Sequence, residues 1–400
     1  MYVFAYPQIE PLCPDCGMYD RVAVNLVEGK GLIYDGAEAT ELGVAGPVIT
    51  FGPVYPAFLA AFYAVAGHDS TTVRAAQALL GGLLVPLIWR LGQLAFGDRA
   101  AGISAWLVAL SIPLTVYSGM LLTEALSTLL VVCAIWLFAE ATARRSTAWF
   151  IGCGAISGLL ILLREEMIAV AAAVVLVAFW KARPALRPRH LAAYALSAAV
   201  CVGVWTTRNI VVFHAPILVT TKAGEQLWIT AKGWSEWQFN DPDYTGLVEG
   251  HTLIERDRIL REDALRIIAA EPLRYLVQSV KRVPELWVSS HTSYIHGFTE
   301  SFGAYRARGA TGRVIAKLAL LGVQCLLLAL AIWAAAHLAR TGGMSYAAWL
   351  AATPVILVTV IHFFLFATPR YQIPALPFVL AFASVAISRV VGPPAETAAR

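Results

Sequence analysis

The sequence predicts an all-α polytopic membrane protein, and three observations predict this class. Apolar residues make up 58% of the 400 positions, and the mean hydropathy is +0.67. That is more apolar surface than a soluble domain can bury in its core. Charged residues make up only 14% and are bunched between apolar runs of near-bilayer length. The excess apolar surface must therefore face lipid.

Apolar runs predict a bundle of about nine to ten membrane helices. The predicted helices cover residues 72–95, 99–117, 120–139, 148–163, 165–180, 189–212, 313–338, 345–366 and 372–390. A further run at 53–67 is too short to span and is expected to lie along the interface or to form a partial span. The pair at 148–180 is also short and has Arg164, Glu165 and Glu166 at its midpoint, which predicts a hairpin.

Loop charges predict the orientation of these helices. If the spans alternate, one side collects Arg90, Arg99, Arg144, Arg145, Lys181, Arg183, Arg187, Arg189 and Arg340. An excess of Lys and Arg marks the cytoplasmic side. The extracytoplasmic side then receives residues 1–52, the turn near Arg164, residues 213–312 and the turn at 369–371.

Five segments follow from this topology. We expect a first extracytoplasmic catalytic loop at 1–52, an N-terminal helix bundle at 53–212, an extracytoplasmic cap at 213–312, C-terminal membrane helices at 313–392 and a short tail at 393–400. The cap carries Trp228, Trp234, Trp237 and Tyr244, and amphipathic helices are predicted near 252–270 and 272–287. No signal sequence opens the chain, so we expect that a membrane helix before residue 1 is missing.

Charge and cysteine usage exclude other classes. The net charge of +4 is small and no dense basic run is present, so nucleic acid is not an expected partner. Cys133, Cys153, Cys201 and Cys325 lie in apolar stretches, where a lone cysteine acts as a small hydrophobic residue.

Five short sequence motifs follow one another along the chain. The chain reads PDCGMYDRVAVNLVEGKG, FGPVYPAFLAAFYAVAG, YSGMLLTEAL, WTTRN and PRYQIPALP from the N-terminal to the C-terminal end. This order resembles that of GT-C glycosyltransferases related to protein O-mannosyltransferases and to the bacterial aminoarabinose transferase of lipid A. The matching positions are Asp15, Tyr19, Ala23, Gly29, the run 53–56 and Glu124. Gly52-Pro53 departs from the pattern, since the family usually has two prolines there.

The resemblance implies a GT-C-like bundle that takes a sugar from a polyprenyl-phosphate donor. Physical reasoning supports the same residues: Glu124, costly to hold in lipid, is expected to face a wet cavity. Transfer needs a base for the acceptor hydroxyl, a role that fits Asp15, with Glu124 as its partner. It also needs cations for the leaving phosphate, and Arg208 and Arg370 fit that role. Tyr19, Tyr55, Arg164 and His362 are expected at the substrate cavity.

Each of these assignments has a structural alternative. Asp15 could be a solvated loop acid, and Glu124 could pair with a buried arginine to hold two helices together. Arg208 and Arg370 could extend along the membrane interface. The run 164–166 is expected to form a structural ion-pair turn rather than a donor site.

The cysteine and histidine motifs predict no certain metal site. Cys13 and Cys16 have CxxC spacing but lack a second pair, so a disulfide that stiffens the backbone around Asp15 is preferred over zinc. His291 and His296 are expected on the surface of a loop rather than as ligands. No cofactor is required by these patterns, although a divalent metal stays open.

The sequence therefore predicts an integral membrane glycosyltransferase, in a bacterial cytoplasmic membrane, that acts on the extracytoplasmic face with inversion. Its partners would be membrane lipid, a polyprenyl-phosphate-linked sugar and a glycan, lipid or protein acceptor. A transporter or flippase of lipid-linked saccharides is the alternative, although no paired repeats support it. A structural assembly subunit would leave the outer acids unexplained.

Overall fold

The all-α membrane class is confirmed by a computed structural model, which describes residues 14–234, 238, 241–292, 295 and 298–390. Within these residues the chain forms eighteen α-helices, three short 3-10 turns and one two-stranded antiparallel ladder. The chain is an integral membrane protein.

The described part of the predicted first segment packs, together with the helix that follows it, against the main core. The two contain α1 (Pro14–Val27), β1 (Ile33–Tyr34), α2 (Ala37–Glu41), β2 (Gly46–Pro47) and α3 (Val54–Ala66). Asn25 donates from Nδ2 to the Ile33 carbonyl at 2.8 Å and so fixes the turn after α1. The helix α3 has 13 residues, fewer than a membrane span needs.

The N-terminal bundle follows. Its helices are α4 (Ser70–Phe96), α5 (Asp98–Ala109), α6 (Ile112–Ser118), α7 (Glu124–Arg144), α8 (Thr147–Leu163), α9 (Ile168–Lys181) and α10 (Pro188–Phe213). Short 3-10 turns at Glu165–Met167 and Arg183–Ala185 flank α9. Buried α7 packs against α4, α8 and the C-terminal segment, so it forms the centre of the bundle.

The predicted cap contains five helices in its described residues. They are α11 (Ala223–Lys232), α12 (Pro242–Val248), α13 (Leu253–Ala270), α14 (Pro272–Trp287) and α15 (Phe302–Ala307). The Thr252 hydroxyl and the Glu255 carboxylate cap each other's backbone N–H and so start α13. Trp228 and Tyr244 lie in the small core of this segment, whereas Trp237 lies outside the described residues.

The C-terminal helices complete the bundle. They are α16 (Thr311–Arg340), α17 (Tyr346–Phe364), a 3-10 turn at Pro369–Ala375 and α18 (Leu376–Val390). The helix α18 is almost fully buried between α16 and α5, and the turn that precedes it reaches α7.

Six helical segments of the described chain are long and apolar enough to cross a membrane. They are Ser70–Phe96, Glu124–Arg144, Pro188–Phe213, Thr311–Arg340, Tyr346–Phe364 and Pro369–Val390. The predicted span at 99–117 is instead broken into α5 and α6, which meet at a 50° bend. Counting that pair as one span gives seven, and the two short helices α8 and α9 account for most of the remaining predicted spans.

Candidate active site

A network of charges joins the two carboxylates that the sequence analysis selected. Arg370 lies between them, since its Nε donates to Glu124 Oε1 at 2.5 Å and its Nη1 donates to Asp15 Oδ2 at 2.6 Å. Arg164 donates from Nη1 to the same Glu124 oxygen at 3.3 Å and from Nε to Glu166 Oε1 at 2.7 Å. We call these five residues the charge network. Glu166, expected only as part of a structural turn, belongs to it.

The network forms where four segments of the chain meet. Asp15 lies in the first turn of α1, and Glu124 is the first residue of α7. Both carboxylates thus lie at helix N-termini, where the backbone dipoles stabilise negative charge. Arg164 and Glu166 come from the turn between α8 and α9, and Arg370 comes from the 3-10 turn before α18.

The two carboxylates differ in accessibility. The Glu124 side chain is 0% exposed, whereas that of Asp15 is 41% exposed and that of Arg370 is 16% exposed. Asp15 is therefore the carboxylate that a bound molecule can reach directly. The second Glu124 oxygen, Oε2, is buried and has no hydrogen-bond partner among the described residues. A buried oxygen of this kind costs free energy until a donor reaches it.

Neighbouring cations determine the protonation of Asp15. Burial raises the pKa of this carboxyl group, but the charges of Arg370, Lys222 and Arg164 and the hydrogen bond from Arg370 hold the pKa below its ordinary value of 3.8. Asp15 is thus ionised at neutral pH. Half-buried Lys222 directly precedes α11 and forms no ion pair with any residue that the structure describes. Sequence reasoning missed it because it is one lysine in a polar loop without a motif.

Tyrosines pack beside the network. The rings of Tyr19 and Tyr55 meet edge to face, with centroids 5.0 Å apart. The buried Tyr55 hydroxyl donates to Gln77 Oε1 at 2.7 Å, and Gln77 Nε2 donates to the Met120 carbonyl at 2.6 Å. This chain of hydrogen bonds anchors the segment that leads into Glu124.

His362 supports the network from the other side. Its ring stacks on Tyr371 at a centroid distance of 4.7 Å, and its Nδ1 lies 2.7 Å from the Phe366 carbonyl. The Arg164 guanidinium lies over the same Tyr371 ring, at 5.2 Å from its centroid. Buried His362 therefore helps to orient Tyr371 and, through it, Arg164.

Arg208 lies in a different environment. Its Nη1 donates to the Val48 carbonyl at 2.8 Å, and its guanidinium packs over the Trp205 ring at 4.6 Å. None of its hydrogen bonds to described residues reaches the charge network. In this structure Arg208 connects the end of α10 to the first segment through its hydrogen bond to Val48. Its role in binding a phosphate stays a prediction.

The remaining motif residues divide into three groups. Cys13 and His296 lie outside the described residues, so the disulfide across Cys13 and Cys16 stays a prediction. The surface position expected for His291 is wrong: its side chain is 4% exposed, because the loop after α14 folds inward and its ring packs edge to face on Tyr117. The described residues contain no cluster of three or more His, Cys, Asp or Glu side chains that could hold a metal ion.

Comparisons with known proteins give one family profile and several similar folds. The sequence profile of the dolichyl-phosphate-mannose-protein mannosyltransferase family matches residues 50–206. The fold is similar to that of the archaeal oligosaccharyltransferase AglB from Archaeoglobus fulgidus, solved with an inhibitory peptide and a dolichol-phosphate, at TM-score 0.50 and 15% identity over 94% of this chain. A second structure of that enzyme, tethered to an acceptor peptide, gives TM-score 0.51 and 13% identity over 94% of this chain.

The chain has the GT-C glycosyltransferase fold. This confirms the resemblance that the sequence motifs indicated. The chain spans less than half of the archaeal enzyme, 46% and 45% of its length in the two structures. ArnT from Cupriavidus metallidurans bound to undecaprenyl phosphate is also similar, at TM-score 0.40 and 15% identity, with 94% of this chain and 73% of that chain covered. A search of curated proteins gave no match.

Proposed function

We propose that this chain is a membrane glycosyltransferase that moves a sugar from a polyprenyl-phosphate donor to an acceptor hydroxyl, with inversion at the anomeric carbon. One observation carries the proposal: Arg370, a phosphate-binding type of side chain, is held between two carboxylates at the junction of four segments. The mannosyltransferase profile at 50–206 supports transfer rather than the alternative of transport.

The site faces the extracytoplasmic side of a bacterial cytoplasmic membrane in this proposal. The segment 213–312 serves as its cap, because Lys222, which directly precedes α11, acts electrostatically on Asp15. The acceptor is a glycan, a lipid or a protein.

The accessible carboxylate performs the chemistry. The acceptor oxygen attacks the anomeric carbon, the bond from that carbon to the phosphate oxygen breaks, and its electron pair leaves with the phosphate. Asp15 orients the acceptor hydroxyl and takes its proton. Arg370 and Lys222 stabilise the departing phosphate, and buried Glu124 holds the Arg370 guanidinium in place.

Donor binding activates Asp15 in this scheme. In the free protein the carboxylate is a weak base, because Arg370 and Lys222 hold its pKa low. A donor phosphate shares the charge of both cations and so raises the pKa of Asp15 toward a value at which it accepts a proton.

The test is transfer from a radiolabelled polyprenyl-phosphate sugar in membranes that contain wild-type chain, Asp15→Asn or Glu124→Gln at matched expression. We expect Asp15→Asn to lose at least about 100-fold in rate, the usual range for a missing catalytic base. Glu124→Gln should also lose rate, because the Arg370 guanidinium is then no longer held in place. Full activity in both variants would overturn the mechanism, and an inactive wild type would favour transport.

A matched control separates catalysis from helix packing. Glu140 lies in the same helix as Glu124, is likewise buried, and accepts from Arg90 and Arg144 at 2.9 and 3.0 Å. Glu140→Gln should lower the thermal stability but keep the activity per folded molecule. If Glu140→Gln and Glu124→Gln lose activity equally, Glu124 is only a structural ion-pair partner.

A further inference from the structure

A cavity lies apart from the charge network, at the bend between α5 and α6. Its volume is about 190 Å³. The walls come from the bend itself, from α16, from the start of α18 and from the loop after α14, and they are mainly the apolar side chains of Leu107, Leu110, Ile112, Leu320, Leu327 and Leu376.

The rim of this cavity faces the bilayer. Leu110, which directly follows α5, is 72% exposed, and Val323 in α16 is 54% exposed. The helix α16 is one of the membrane-crossing helices, so these exposed leucine and valine side chains contact lipid. A hydrocarbon chain can therefore enter from the membrane without passing through water.

One polar side chain in the wall lacks a partner. His291 is buried, and neither of its ring nitrogens has a hydrogen-bond partner among the described residues. Its backbone has a φ of 51°, and its N–H donates to Ser289 Oγ at 3.1 Å, which fixes the loop. Burial lowers the pKa of His291 to about 4, so at neutral pH the ring is uncharged and offers one donor and one acceptor.

Two other polar residues of the wall, Gln324 and Ser290, already have hydrogen-bond partners in the described structure. Gln324 donates from Nε2 to Gln372 Oε1 at 3.0 Å, and the hydroxyls of Ser290 and Thr292 lie 2.9 Å apart. The imidazole of His291 is thus the buried group that a ligand can satisfy.

We propose that this cavity binds a hydrocarbon chain that carries one uncharged hydrogen-bonding group, a hydroxyl or an ester carbonyl, placed against His291. An apolar cavity of about 150 Å³ binds benzene, so the space suits a chain segment of roughly six carbons. The described lining residues include no charged side chain, so a phosphate group does not fit there. The proposal does not depend on glycosyl transfer.

The test is photolabelling of the purified full-length chain in detergent with octanol that carries a diazirine. Peptide mass spectrometry should find the label on α16 near Leu320 and Leu327, and excess 1-octanol should protect these residues. Leu327→Trp fills the cavity and should lower labelling at least about five-fold. Leu326→Trp is the control, because Leu326 is 59% exposed, adjoins Leu327 and is not part of the wall.

A second variant tests the hydrogen bond. His291→Phe keeps a ring but removes both nitrogens, so 1-octanol should protect about five-fold less well, the effect of one hydrogen bond, while octane should protect as before. His291→Asn keeps a hydrogen-bonding group and tolerates the positive φ, so it should keep the preference for octanol. Thermal unfolding checks that each variant is folded.

Three results would overturn the proposal. The first is equal labelling of wild type and folded Leu327→Trp, and the second is equal protection of wild type by octane and octanol. The third is displacement of the label by polyprenyl phosphate alone, because that lipid carries no uncharged hydrogen-bonding group. Displacement by a diacyl phospholipid, whose ester carbonyls accept hydrogen bonds, would support the site and identify the occupant as a bilayer lipid.

Discussion

At the scale of single residues, Arg370 connects two carboxylates that lie far from it in the sequence. It donates to Asp15 in the first helix and to Glu124 in the seventh. An arginine that serves two carboxylates has one terminal nitrogen left, and Arg370 Nη2 makes no hydrogen bond in the described structure. That nitrogen is the group with which we expect a donor phosphate to begin its contact.

The low pKa of Asp15 predicts the pH profile of the free enzyme. Because the Asp15 pKa lies below 3.8, the carboxylate is ionised above that pH, and kcat/KM should show no acidic limb from Asp15 at higher pH. Lys222→Gln removes one of the cations that lower this pKa, so the limb should move to higher pH. The measurement is kcat/KM for the donor as a function of pH.

Lys30→Gln is the control for that profile, since Lys30 pairs with Glu28 on the surface. It should leave the limb where the wild type has it. An unchanged profile in Lys222→Gln would show that Lys222 does not act on Asp15.

The two predicted phosphate ligands should behave differently. Arg370→Gln should raise the donor KM and lower kcat, because Arg370 belongs to the charge network. Arg208→Gln should instead lower stability by about 1.5–3 kcal/mol, the range for a hydrogen bond from a charged group, since it frees the Val48 carbonyl. Donor titrations and thermal unfolding measure both effects. A raised KM in Arg208→Gln at unchanged stability would return Arg208 to the phosphate site.

The sequence predicts most residues of the charge network, but it does not predict which of them form ion pairs with each other. Motifs and the cost of charge in lipid predict Asp15, Glu124, Arg164 and Arg370 as site residues. Their pairing depends on contacts across 246 and 355 positions of sequence, which no local pattern encodes. His291 was misplaced for the same reason, because its burial depends on how the loop after α14 folds against α6.

At the scale of helices, small residues determine how closely α8 and α10 approach. A Cβ atom at Gly154 would lie 2.2 Å from the Tyr194 carbonyl oxygen, and one at Gly158 would lie 2.6 Å from the Cys201 Cβ. The two glycines are four positions apart and so share one face of α8. Their spacing allows backbone contact between the helices, as is usual within membranes.

Gly154→Ala should therefore destabilise the bundle by about 1–3 kcal/mol, the cost of overpacking a well-packed core. Gly152→Ala lies in the same helix, where an added Cβ would meet nothing within 4 Å. It should be neutral or slightly stabilising, because alanine favours a helix more than glycine does. Thermal unfolding in matched detergent compares the two. Equal stability would show that α8 and α10 separate more easily than this packing implies.

Helix positions followed from the sequence better than helix continuity did. The amphipathic helices predicted at 252–270 and 272–287 correspond to α13 and α14, since Pro272 and the Thr252 cap mark their starts. The single span predicted at 99–117 is bent, because the chain breaks at Leu110 and Ser111 before Pro113. An apolar run predicts that a segment lies in the membrane, but it does not predict whether its helix is straight or bent.

At the scale of the whole molecule, loop charges predict that residues 213–312 and the loop after α16 lie on opposite sides of the membrane. Glu249→Cys and Thr341→Cys place exposed thiols in these two regions. In intact cells a membrane-impermeant maleimide should label the first variant and leave the second unlabelled until the membrane is opened. Labelling of Thr341→Cys alone would reverse the orientation and move the site to the cytoplasmic face.

The two cations beside Asp15 also affect the release of the lipid carrier after the proposed transfer. A polyprenyl-phosphate sugar is a phosphodiester with one negative charge, whereas the spent carrier is a phosphate monoester with about 1.5 to 2. Arg370 and Lys222 must therefore hold the spent carrier more strongly than the fresh one. We therefore expect the departure of the empty lipid to slow turnover, and accumulation of that lipid in the bilayer to inhibit transfer.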